Sequence, residues 1–174
     1  MQHFDQRTLH DLEFPIIREW LVDLAVGLTA RNRLEQLEPV NQFAQIEREL
    51  GKVNELMMIR TEGESFPALD FEELILEIKL LPVRNAVLAL EGYSRISRSS
   101  ELVNTLIIFF NKREKSYPLL HELFRETYFT TELIDAINRI FDRSGNVKDD
   151  ASPLLNAIRQ KIKVLRNQIN RNFD

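Results

Sequence analysis

The chain has 174 residues, 44% of them hydrophobic and 29% charged, the balance of a globular protein and not of a disordered one. Cysteine is absent, which excludes disulfides, thiolate metal sites and thiol catalysis together. The net charge of −4 is unevenly placed: Leu154 to Asp174 carries +4 from five basic residues and one acid, and the remaining 18 basic and 26 acidic residues give −8. An acidic body of this kind does not hold nucleic acid by itself, because phosphate neutralisation needs clustered Lys and Arg. The longest wholly apolar run, Leu106 to Phe110, falls far short of the ~20 residues that span a bilayer. Met1 to Gln6 has neither the basic cluster nor the apolar core of a signal peptide. The expectation is a cytoplasmic protein with no membrane partner.

With five glycines and six prolines, long regular elements are expected. Thr8, with Asp11 three residues on, opens a short turn from Leu9 to Glu13 in the manner of a capping box. Pro15 suits the first turn of the next helix, in which Ile16, Ile17, Trp20, Leu21, Leu24 and Ala25 form one apolar face that predicts a buried Trp20. Gly27 ends that helix, and a short one over Ala30 to Leu37 stops before Pro39. Asn41 is the expected cap of a long helix with Phe43, Ile46, Leu50, Val53, Leu56 and Met57 near one stripe, closed by Gly63. Asp70 then caps a helix running to Leu80. Leu81 to Leu88 is a connector in which Val87 and Leu88 could form a stub of strand. A second long helix covers about Leu90 to Lys112. A short one follows from Tyr117-Pro118 to about Thr127, and Thr131 caps another to about Phe141. From Ile140 to Ala151 the turn tripeptide Ser144-Gly145-Asn146 gives hairpin character. Ser152 and Pro153 launch the last helix as N-cap and first residue. The fold class is all-α, a multi-helix bundle with a short β-hairpin-like turn near 140–151 and a C-terminal coiled-coil helix.

No catalytic, cofactor-binding or metal site follows from these residues. His3, His10 and His121 lack metal-ligand spacing. Asp142, Ser144 and Asn146 begin like a calcium loop, but Val147 and Pro153 stand where such a loop needs Gly and Glu. There is no phosphate-cradling glycine motif and no serine elbow. The acidic pairs (Glu47 with Glu49, Glu72 with Glu73, Asp149 with Asp150) read as solvated helix faces. Phe109, Phe110, Phe124, Tyr128 and Phe129 read as core, since few basic residues interleave them.

The last helix says most. Leu155, Ile158, Ile162, Leu165 and Ile169 step by 3, 4, 3, 4, the seam of a coiled coil. Such a stripe either packs back on the body or belongs to an arm whose return strand lies beyond Asp174. Arg159, Lys161, Lys163, Arg166 and Arg171 lie largely off the seam, where they either contact phosphate or only solubilise the helix.

Several stretches resemble the second bacterial branch of the MutS family, the type-two MutS endonucleases. They are Leu12-Glu13-Phe14, Leu37-Glu38-Pro39, Phe66-Pro67 with Asp70, and above all Ile140 to Arg159. That last stretch is similar to the family's I-x-D-x-x-G-x-V-x-D-x-A-S-x-x-L-x-x-I-R in Ile140, Asp142, Gly145, Val147, Asp149, Ala151, Ser152, Leu155, Ile158 and Arg159. The resemblance implies an N-terminal helical core/lever domain over 1–152 and the first part of a clamp arm over 153–174. It also implies downstream clamp and ATPase segments as partners, with ATP and magnesium bound there and no cofactor in this chain. The full-length protein is then a homodimeric ATPase, and many relatives end in an Smr nuclease. Such proteins act in DNA repair and recombination on branched DNA, or on stalled ribosomes. The rival expectation is a free-standing helical adaptor or homodimerisation module whose last helix pairs with its own copy.

Overall fold

A computed structural model describes residues 5–142 and 144–173, the last three of these in backbone only. Nine helices run along the described residues, an all-α fold with one isolated antiparallel bridge, Phe141 to Val147, as its only extended pairing. The chain divides into two compact units, residues 1–73 with 105–127 and residues 74–104 with 128–174.

The first unit contains α1 (Gln6–Asp11), α2 (Phe14–Leu24), α3 (Leu28–Glu35), α4 (Phe43–Thr61) and α7 (Pro118–Glu122), with the end of α6 (Leu90–Asn111). Its core is Ile59, Leu106, Ile107, Phe109, Phe110, Tyr117 and Leu120, all buried. Phe66 meets Phe109 edge-on at 5.2 Å, and Phe110 stacks on Phe124 at 5.0 Å, geometries in which ring edge and face attract. Two short helices lack a cap of their own and borrow one. Glu73 accepts from the Thr29 amide at the start of α3. Glu55 of α4 accepts from the Leu119 and Leu120 amides of α7 at 3.0 and 2.8 Å. Each carboxylate satisfies otherwise orphaned amides at the positive end of a helix.

The second unit holds α5 (Ile75–Leu80), the first part of α6, α8 (Thr131–Ile140) and α9 (Pro153–Phe173). Ile137 is its buried apolar residue. Glu77, 3% exposed, takes Arg95 as its partner, Nε donating at 2.9 Å. Gly92 lies against that carboxylate: a Cβ there would stand 3.3 Å from Glu77 Oε1. Asn104 accepts from the Thr130 amide and hydroxyl at 3.0 and 3.2 Å, fixing the approach to α8.

Several local expectations need correcting. Asp5 is the N-cap of α1, its carboxylate accepting from the Thr8 amide at 2.6 Å; Thr8 is inside the helix. Gln42, not Asn41, is the N-cap of α4, and α5 begins at Ile75, well after Asp70. Val87 and Leu88 pair with no strand. Trp20 is 65% exposed, and Ile16, Ile17, Leu21 and Leu24 are exposed with it. The apolar face of α2 is real, but the described residues leave much of it open, Trp20 and Leu24 most of all.

Candidate functional site

The loop from Phe141 to Ala151 forms the footing of α9. Gly145 sits at φ +80°, a left-handed turn position that costs glycine least. Asp142 Oδ1 accepts from the amides of Ser144 at 2.8 Å and Asn146 at 2.9 Å. The bond from Asn146 above all holds its carboxyl below the usual carboxylate range; burial opposes it, and the bond from Ser144 adds to the lowering. The Asp142 carboxylate, which only begins like a calcium loop in sequence, is engaged by the turn itself. No group of three His, Asp or Glu able to hold a metal occurs among the described residues. Beside the turn, Tyr93 of α6 lies 5.1 Å from the Phe141 ring, and Lys148 donates to the Asn138 carbonyl at 2.6 Å.

Ser152 then caps α9, its Oγ accepting from the Leu155 amide at 3.2 Å, and Pro153 is the first helical residue. Arg159 reaches back from the second turn to the Val147 carbonyl at 3.1 Å and to the Asp149 carboxylate. The middle and the end of the family-like stretch are thus physically linked: its Val147 and Asp149 receive its Arg159. Leu155 is half-buried at the footing, and the rest of the seam is open, with Ile158, Ile162, Leu165 and Ile169 between 44% and 57% exposed. Lys161, Lys163 and Arg166 are exposed on the flanks. Arg171 lies in α9, its side chain outside the described ones.

A cleft of about 290 Å³ in the same unit, lined by Ser94, Ser97, Arg98, Glu101, Asn138 and Asp142 among others, was not foreseen from sequence. Its lining comes from α6, the end of α8 and the turn, which no local sequence signal joins.

No family model matches the chain, and no solved structure matches it. Curated relatives do. An endonuclease MutS2 of Symbiobacterium thermophilum is 27% identical over 170 residues, 98% of this chain and 21% of the relative. One of Staphylococcus epidermidis is 26% identical over 174 residues, and one of Caldicellulosiruptor bescii 28% identical over 165 residues. All three bear the name endonuclease MutS2, and the chain is similar to them over 95% or more of its own length. It spans about a fifth of the length of the MutS2 relatives named here. At this identity the MutS2 match covers both compact units and the footing of α9 alike. No described helix is long and apolar enough to cross a membrane.

Proposed function

We propose that this chain is the N-terminal core/lever region, with the base of the clamp coiled coil, of a MutS-like ATPase, and that its task is mechanical. It relays the nucleotide state of a downstream ATPase to the clamp through helices that shift as packed units. The single observation that carries this reading is α9. A braced footing launches a helix whose seam is open from Ile158 onward, and an open seam of this period is half of a coiled coil. The likeness to MutS2 proteins over nearly the whole chain supports the assignment. In this reading the chain supplies no catalytic residue; ATP and magnesium bind downstream, where relatives also carry the nuclease. The whole protein is a homodimer acting on branched DNA or stalled ribosomes, and Lys161, Lys163, Arg166 and Arg171 of α9 approach phosphate.

The test places a fluorophore at Gln168→Cys on α9 of the full-length protein and adds ATP or ADP with magnesium. A signal that changes with nucleotide is expected. Identical signals with ATP, with ADP and without nucleotide would sink the relay.

A further inference from the structure

Helix α4 has two apolar sides, and the fold uses one. Gly51, Glu55 and Ile59 face inward: the Leu119 methyl packs where a Gly51 side chain would stand, Glu55 caps α7, and Ile59 is fully buried. About half a turn round the helix, Phe43, Ile46, Leu50, Val53 and Met57 step by 3, 4, 3, 4, between 37% and 78% exposed. Arg60 takes the next place. This is a second open seam, on the other compact unit from α9.

The charges beside each seam decide which can pair with its own copy, since flanking residues face one another across a coiled coil. Beside the α9 seam stand the exposed Lys161 and Arg166, with Arg159 held back at the footing by Val147 and Asp149. A parallel pair of α9 helices sets Lys161 against Arg166 of the second copy, so that like charges meet. Beside the α4 seam stand Glu47, Glu49, Asn54 and Leu56. Antiparallel pairing there lays Ile46 on Met57, Leu50 on Val53 and Phe43 on Arg60. It brings Glu47 to Asn54 and Glu49 to Leu56. No like charges meet, Arg60 gains an aromatic face, and the helix dipoles oppose. Parallel pairing instead stacks Arg60 on Arg60.

We infer that the outer face of α4 is a self-association surface, across which a second copy of this chain lays its own α4 antiparallel. The contact is isologous, each copy offering the same patch about a two-fold axis. It is independent of the assignment proposed for α9.

Because the chain has no cysteine, cross-linking tests the register directly. Ile46→Cys and Met57→Cys chains are purified separately, oxidised alone and oxidised as a mixture. In the antiparallel pair equal positions lie eleven residues out of register, about 16 Å apart along the axis, beyond the ~7 Å that a disulfide bridges. The mixture links and neither variant links alone. Sedimentation gives a second readout on the unlinked chain. The wild type self-associates, Leu50→Asp weakens this by more than about tenfold with helix content retained, and Leu165→Asp on α9 leaves it unchanged. Three results would each overturn the inference: a wild type monomeric at all concentrations, variants that link with themselves alone, or association lost through Leu165→Asp instead of Leu50→Asp.

Discussion

The phenol of Tyr117, 1% exposed, donates to the Glu62 carboxylate across 2.8 Å and ties the start of α7 to the end of α4. Only the neutral phenol can make this bond. Glu62 first, then burial, pushes the phenol's pKa up to about 12 from an ordinary 10.0. A folded-state pKa above the unfolded one contributes stability that is complete below about pH 10 and lost as pH rises toward 12. Tyr117→Phe should therefore lower the melting temperature at pH 7, and the gap between variant and wild type should narrow from pH 10 to 12. Melting curves with parallel pH slopes for the two chains would mean that the bond is not made.

Glu55 tests the borrowed cap. It is 7% exposed and accepts from two α7 amides that have no other cap. Glu55→Ala orphans both donors and removes a charge from the positive end of α7, a cost of about 2–3 kcal/mol. Glu55→Gln retains one acceptor and should cost less. Urea unfolding of the three chains gives the order. An alanine variant as stable as the wild type would show that water replaces the carboxylate.

What was legible in the sequence was local. Ser152 before Pro153 caps its own helix three residues on, and the 3-4 spacing of α9 needs no knowledge of the rest of the chain. The Phe141–Val147 bridge follows from a glycine turn between two apolar residues. Nothing local marks Glu55 and Glu62, because their partners lie 65 and 55 residues away. Arg159 was grouped with the off-seam cations, and its sequence alone gives no sign that it turns back to Val147 and Asp149. The error at Trp20 has a different source. Periodicity finds an apolar face correctly but does not say whether this chain supplies the cover.

Trp20 yields a prediction opposite to the one its stripe suggests. A buried tryptophan cut to alanine costs roughly 3–5 kcal/mol, but a side chain 65% exposed loses little packing. Trp20→Ala should shift stability by less than about 0.5 kcal/mol, as at ordinary surface positions. Its fluorescence should be red-shifted and readily quenched by iodide. Blue emission resistant to quenching would put a cover over α2.

Glu77 governs the acid side. The Arg95 guanidinium beside it holds its carboxyl below the usual value of 4.5. A lowered folded-state pKa contributes stability that is present above that value and lost as pH falls through the folded pKa. Glu77→Gln also removes the negative charge that faces the partly buried Arg95 guanidinium. The variant should be less stable at pH 7 and should lose less additional stability than the wild type below about pH 4.5. Chemical denaturation at pH 7, 5 and 3 measures both, and equal acid sensitivity in the two chains would exclude Glu77 as the titrating group.

The cations of α9 should separate into two kinds. Arg159 is engaged by Val147 and Asp149, so Arg159→Gln should loosen the footing, read as faster amide exchange over 147–160, with little change in phosphate affinity. Lys161, Lys163 and Arg166 are exposed and are among the residues that the proposed function brings to phosphate. Replacing all three by Gln in the full-length protein should weaken binding to a branched DNA duplex. It should also reduce the slope of log affinity against log salt by about 0.9 for each lost contact, roughly 2–3 in all. A salt slope unchanged by the triple substitution would mean that these residues only solubilise the helix. A slope reduced by Arg159→Gln alone would mean that its contacts to the footing open when nucleic acid arrives.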